Sequence, residues 1–161
     1  MSNTTENRNG TIVGAVGDHA ISMSREFAAS PATVFRALHD PEIVRQWIGP
    51  VGLQNAEVTG GTTHGDTWTL VQKDPNGNEY AFRGVTHGEA SVENGSWRTF
   101  EWMGMAGHVS FEHVTFVDLG GNRTRVDSIA VYTSTEDRDG MFSSMGDGGY
   151  GRLDDVLANL D

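Results

Sequence analysis

The stretch S-P-A-T-V-F-R-A-L-H-D-P-E-I-V-R-Q-W-I-G-P, from Ser30 to Pro50, reads as two short helices in tandem. Each has its own start signal. Ser30 is placed to cap the first, and Pro31 fits its first helical position, where the missing N–H costs nothing. Asp40 and Pro41 repeat the arrangement, and Glu42 adds a favourable charge at the second N-terminus. Gly49 and Pro50 stop the second helix, since Gly can turn left-handed and Pro cannot continue. Val34, Phe35 and Leu38 give the first helix one apolar side; Ile43, Val44, Trp47 and Ile48 do the same for the second. Helices this short are not stable alone and must lie on something.

What surrounds the pair is strand-like. Before it, residues 1–17 are rich in Asn, Thr and Gly and read as a flexible start, with room for a short strand at Thr11 to Val16. His19 to Phe27 alternates, with Ile21, Met23, Arg25 and Phe27 on one face. After the pair come strand patterns at Leu53 to Thr59, Asp66 to Lys73, Glu79 to Glu89, Ser96 to Met103, His108 to Asp118 and Arg123 to Tyr132. Asp74-Pro75-Asn76-Gly77 and Leu119-Gly120-Gly121-Asn122 are turns. Thr133 or Ser134 can cap a closing helix, with Glu136 or Asp137 completing a capping box. Leu153, Val156, Leu157 and Leu160 fall at helical spacing near its end. Gly146, Gly148, Gly149 and Gly151 each cost about 1 kcal/mol against Ala inside a helix. A break is therefore expected there, together with local mobility, and the segment is either a lid carrying Tyr150 or a plain surface loop.

The expected fold is α+β: one domain over 18–161, with a curved antiparallel sheet of about six or seven strands gripping a long C-terminal helix, and two short helices after the first strand. Such a sheet readily leaves a cavity beneath the helix. Composition agrees with a globular chain: 161 residues, 37% hydrophobic, no cysteine. A net charge of −11 with a single lysine, Lys73, argues against nucleic acid and against anionic membranes. No run approaches the ~20 apolar residues of a membrane helix, and no signal-peptide layout opens the chain. The cytoplasm is the expected location.

Four stretches carry a family resemblance: R-E-F-A-A-S-P-A-T-V-F-R-A-L-H-D-P-E-I-V-R-Q-W-I-G-P at Arg25 to Pro50, F-R-G-V at Phe82 to Val85, V-T-F-V-D-L-G-G-N-R-T-R-V at Val114 to Val126, and T-E-D-R-D-G-M at Thr135 to Met141 with R-L-D-D-V-L at Arg152 to Leu157. They resemble the START-like (SRPBCC, pollen-allergen-type) superfamily, and within it the bacterial branch named after the activator of heat-shock-protein-90 ATPase. The resemblance implies a helix-grip fold with a pocket between sheet and terminal helix. It does not imply one activity: relatives bind lipids or hormones, or cyclise polyketides. Relatives usually run through the region of Met145 to Arg152 as continuous helix; here it is glycine-rich and shorter by about one turn.

Candidate site residues follow from the strand faces. Trp68, Phe82, Trp102, Phe116 and Tyr150 are aromatic candidates for a ligand-binding wall, with Ser128 and Leu153 beside them; each could equally fill the core. Val126, Ser128, Ala130 and Tyr132 share one face, as do His108, Ser110, Glu112, Val114 and Phe116. If those faces are concave, Glu112, His108 and Tyr132 are the candidate acid/base groups of an enzyme; otherwise Glu112 is a solvated surface carboxylate. Arg83 is either a surface residue or an anion anchor. His108 and His113 point to opposite faces, and no H-x-x-x-H or phosphate-cradle pattern occurs, so no metal or cofactor is implied. Three functions stand open: binding of a small apolar or aromatic molecule, a cyclase or lyase built in the same cavity, and a chaperone-associated module, the last resting on the resemblance alone.

Overall fold

The computed structural model describes residues 3–50 and 52–160; Met1, Ser2, Val51 and Asp161 lie outside the described residues. In chain order the elements are β1 (Thr4–Arg8), β2 (Thr11–Val16), β3 (Ala20–Phe27), α1 (Pro31–His39), α2 (Pro41–Trp47), β4 (Gln54–Thr59), β5 (Thr67–Lys73), β6 (Glu79–Ser91), β7 (Gly95–Trp102), β8 (Val109–Gly120), β9 (Arg123–Tyr132), α3 (Thr135–Ser144) and α4 (Tyr150–Ala158). The strands form one antiparallel sheet in the order β1-β2-β3-β9-β8-β7-β6-β5-β4. Consecutive strands pair with their neighbours except once. Between β3 and β4 the chain passes from the middle of the sheet to its far edge, and the tandem helices make that crossing.

The helix pair forms as its caps dictate. The Ser30 hydroxyl accepts from the Thr33 amide, and the Asp40 carboxylate accepts from the Glu42 amide. Asp40 ends α1 and starts α2, so the two helices share one residue. Their apolar sides meet α4 and the covered face of the sheet. Phe27, Val34, Trp47, Leu70, Val126, Tyr150, Leu153 and Leu157 belong to the core there.

Three expectations need correction. The sheet has nine strands among the described residues, not six or seven. One added strand is β1, which lies in what reads as a flexible start. Thr4–Arg8 is polar and lacks alternation because it is an exposed edge strand. It is held by register with β2 through the turn Asn9-Gly10, both at positive φ. Arg8 also donates to the carbonyl of Phe142, in the last turn of α3, at 2.8 Å and to that of Gly146, just beyond it, at 3.1 Å. Finally, the C-terminal helix is not one long element. It is split into α3 and α4 at Met145–Gly149, where Gly146, Gly148 and Gly149 have φ of 59°, 71° and 88°.

That split is the expected break, yet its last part is not a plain surface loop. Gly149 and Tyr150 are buried. A Cβ at Gly149 would stand 2.8 Å from the Trp47 carbonyl oxygen, so the glycine lets the start of α4 touch the end of α2. The Asp147 carboxylate then caps α4, accepting from the Gly149 and Gly151 amides at 2.9 and 3.1 Å. α3 is anchored differently. Its buried Arg138 donates to the Val16 and Ala20 carbonyls across the β2–β3 hairpin.

His39, at the end of α1, is stacked on Phe35 at 4.0 Å and donates from Nδ1 to the Phe35 carbonyl, 2.8 Å away. That carbonyl favours the imidazolium, but burial outweighs it, with the Arg98 cation acting in the same direction as burial; the imidazole is pushed down to about 4 from 6.5. As pH falls, the unfolded chain takes up this proton first. The contribution is whole above about pH 6.5 and is lost as pH falls towards 4. Between pH 7 and pH 4.5 the wild type should lose roughly 2 kcal/mol more stability than His39→Gln, from 1.36 kcal/mol per pKa unit. Parallel denaturant-stability curves for the two proteins across that range would contradict this burial effect.

Candidate functional site

The covered face of the sheet is not packed solid. Between it and the helices lies a cavity of about 580 Å³. Ile21 and Met23 of β3, Leu70 and Gln72 of β5, Phe82 of β6, Arg98 and Phe100 of β7, Ser110, Glu112 and Val114 of β8, and Ser128, Ala130 and Tyr132 of β9 form its floor. Trp47, Ile48, Met141, Met145, Gly148 and Tyr150 close it from the helical side. The period-two alternation brings these residues to one face, and the small Ser128 and Ala130 leave the room. The volume falls within the roughly 300–1,000 Å³ typical of small-molecule sites.

One ion pair crosses the floor. Arg98 and Glu112 are directly opposed in register on β7 and β8, and the Arg98 guanidinium bonds the Glu112 carboxylate. Arg98 also lies over the Trp68 ring, 4.7 Å from its centroid. Glu112 thus points inward, the less bland of the two expectations for it, but it is not a lone carboxylate in an apolar pocket. Arg98 was not singled out from the sequence. The signal was its position opposite Glu112, which requires the β7–β8 register.

Tyr132 and Tyr150 face the same pair. Burial, and then the Glu112 charge, push both phenols well above the usual tyrosine range; at Tyr132 the Ser110 hydroxyl, and at Tyr150 the Arg98 charge, act the other way. Both are therefore neutral hydrogen-bonding groups at physiological pH. Tyr150 is 6% exposed and wedged between Phe27 at 5.3 Å and Trp47 at 5.9 Å. It is a buried wall residue at the start of α4.

A second chamber of about 330 Å³ adjoins the first, sharing Phe82, Phe100, Ser110, Tyr132, Met141 and Ser144 with it. Trp102 and His108 line this chamber. His108 Nδ1 is 2.8 Å from the Asp137 carboxylate. His113 points to the opposite face, as expected, and stacks on Trp97 at 3.6 Å. Trp68 lines a small pocket of about 70 Å³ under the helix pair, where its Nε1 donates to the Thr99 carbonyl.

Three of the named residues, Trp68, Phe116 and Leu153, are not brought to either chamber. Phe116 has the right face of β8 but lies farther along the strand, against Phe35 of α1 at 5.5 Å. Leu153 is fully buried in the core between α4 and its neighbours. Arg83 is a surface residue whose side chain meets Glu101. Among the described residues no group of three His, Cys, Asp or Glu could hold a metal ion, and no helix is long and apolar enough to cross a membrane.

The arrangement has solved relatives. A protein from Rhodobacter sphaeroides matches with a TM-score of 0.81 at 22% identity, over 92% of this chain and 97% of that one. Protein Ms6760 from Mycobacterium smegmatis matches at 0.76 and 17% identity, over 98% and 96%. The AHSA1 protein from Silicibacter pomeroyi matches at 0.72 and 20% identity, over 86% and 97%. At these identities the likeness concerns the fold alone, an α+β arrangement consistent with a helix grip. No protein of curated function matches the chain in sequence. The family model described as "Activator of Hsp90 ATPase homolog 1-like protein" matches residues 28–160. With the tandem helices, the sheet order and the covered cavity in place, the chain belongs to this family, a START-like bacterial branch.

Proposed function

We infer that the protein is a cytoplasmic binder of a small, mainly apolar or aromatic molecule, held between the covered face of the sheet and the helices. The observation that carries this reading is the 580 Å³ cavity, apolar at Trp47, Leu70, Phe82, Phe100 and Val114, with a neutralised Arg98–Glu112 pair and neutral tyrosines as its polar groups. Such a surface rewards apolar burial and offers a few fixed hydrogen bonds for orientation. Phe82, Ser128, Tyr132 and Tyr150 are its proposed contact residues, with Trp102 in the adjoining chamber and Trp68 positioning Arg98 from outside the cavity. An anilinonaphthalene dye is expected to bind the folded protein at 1:1 and to be displaced by long-chain or aromatic small molecules. Dye uptake that never saturates, or none at all, would overturn the reading.

A second reading is a cyclase- or lyase-type enzyme in the same space. The observation favouring it is the His108–Asp137 dyad, 2.8 Å apart, beside Tyr132. A carboxylate that fixes an imidazole tautomer is a recurrent way to make a general base. Glu112 is the weaker candidate, since Arg98 bonds one of its oxygens and neutralises its charge. Ligand recovered from wild type and from His108→Gln should then differ in mass or, for a ring closure that expels nothing, in chromatographic retention and fragmentation; identical compounds would count against catalysis. Docking to a chaperone, the activity in the family description, is a third reading. Its support is that description and the exposed Trp97, Phe111, Ile129 and Val131 on the uncovered face. Absence of Hsp90 binding at micromolar concentration would remove it.

A further inference from the structure

The side chamber has a chemistry of its own. Four rings, Phe82, Phe100, Trp102 and Tyr132, form its walls. Phe82 and Trp102 are cross-strand partners on β6 and β7, and the Phe82 and Phe100 centroids are 5.1 Å apart. α3 roofs it with Glu136, Asp137, Gly140, Met141 and Ser144, spaced so that one side of the helix meets the chamber. No lysine or arginine is among its lining residues. With two carboxylates and one imidazole, the lining is net negative whether or not His108 is protonated.

Aromatic faces with carboxylates at the rim are hostile to anions and indifferent to neutral apolar groups beyond area. They attract a weakly hydrated cation, since the ring quadrupole and the carboxylate charge act together. The main cavity contrasts with this, because Arg98 cancels Glu112 there. The chain as a whole carries a net charge of −11, which raises the local concentration of cations at any such opening.

Resting on the ligand-binding reading, we propose that the side chamber is a subsite for an organic cation, so that the ligand class is a hydrophobic amine or quaternary ammonium compound. Its charged head lies against Phe100, Trp102 and Tyr132 beneath Glu136 and Asp137, and its apolar body runs into the main cavity. The two chambers share Phe82, Phe100 and Tyr132, which sets the side chamber directly against the main cavity. Gly140 is the place where the roof is missing a side chain: a Cβ there meets nothing within 4 Å. A larger residue there has space and changes the roof without altering its charge.

The test uses decyltrimethylammonium, decanol and decanesulfonate, each below its micelle-forming concentration, titrated calorimetrically into the full chain. The cation is expected to bind about tenfold more tightly than decanol, the scale of a desolvated cation–aromatic contact, with decanesulfonate weakest. Gly140→Leu is expected to bring the cation down to the decanol affinity while decanol still binds. Glu136→Gln, at an exposed position, is expected to weaken the cation about threefold and leave decanol unchanged, which keeps the test open should Gly140→Leu fold poorly. Nuclear Overhauser contacts from the N-methyl protons to the Trp102 ring place the head group. A wild type that binds cation and alcohol equally overturns the subsite alone, as does a cation preference that survives in Gly140→Leu. A wild type that binds none of the three overturns the ligand-binding reading with it.

Discussion

Trp47→Ala is expected to destabilise the fold by about 3–5 kcal/mol, the range for truncating a buried aromatic side chain. Trp47 is 4% exposed, and its Nε1 donates to the Ala37 carbonyl at 2.9 Å. It therefore links α2 to α1 by a buried hydrogen bond and links both to α4 through Tyr150. Removing the indole leaves that carbonyl without its partner as well as opening a void. The void also adjoins the cavity wall, so ligand affinity should fall along with stability. Denaturant unfolding checks the first effect; a midpoint and slope equal to wild type would show that Trp47 is not the anchor of the helix pair.

The second large effect concerns the ion pair on the cavity floor. Arg98→Ala should cost about 3 kcal/mol, at the low end of the range for breaking a buried pair because the side chains are 31% and 20% exposed. The loss has two parts: Glu112 is left in the cavity without its counter-charge, and the Trp68 ring loses the guanidinium lying on it. Arg98→Met combined with Glu112→Leu should recover most of that stability, since two well-packed apolar side chains need no desolvation. The cycle separates the charge from the packing. A double variant as unstable as Arg98→Ala would mean that the arginine acts through packing and that the pair is incidental.

The contrast between these two residues shows what the chain reveals before it is folded. Trp47 is legible because its signals are local: caps at Ser30 and Asp40, prolines at the first helical positions, and apolar residues at helical spacing all lie within one stretch. Most strands are legible for the same reason, alternation being a property of neighbours. Arg98 is not legible, because its meaning depends on which residue of β8 lies opposite. A slip of one residue in that register would send it to the other face. Glu112 was visible as a candidate, but not its neutralisation.

The misplaced residues fail for a related reason. Phe116 shares the inward face with Glu112, and alternation says nothing about where along a strand the cavity ends and the helix pair begins. Leu153 has helical spacing, which identifies a buried face without saying whether atoms or empty space lie beyond it. β1 escaped because an edge strand exposed along its length carries no hydrophobic pattern. Asn9-Gly10 was its one local mark, a two-residue hairpin turn. The break between α3 and α4 was readable from the glycines, whereas the burial of Gly149 and Tyr150 needed the approach of α2.

The most direct measurement of the central claim is native mass spectrometry of the protein isolated without organic solvent or detergent. Wild type should carry a single bound molecule small enough for a 580 Å³ cavity. Ala130→Trp, which places an indole in that space from the middle of β9, should be folded by circular dichroism and free of the adduct. A wild type that carries no adduct and takes up none when apolar molecules are supplied, or an Ala130→Trp variant that retains the adduct in full, would contradict a binding cavity beneath the helices.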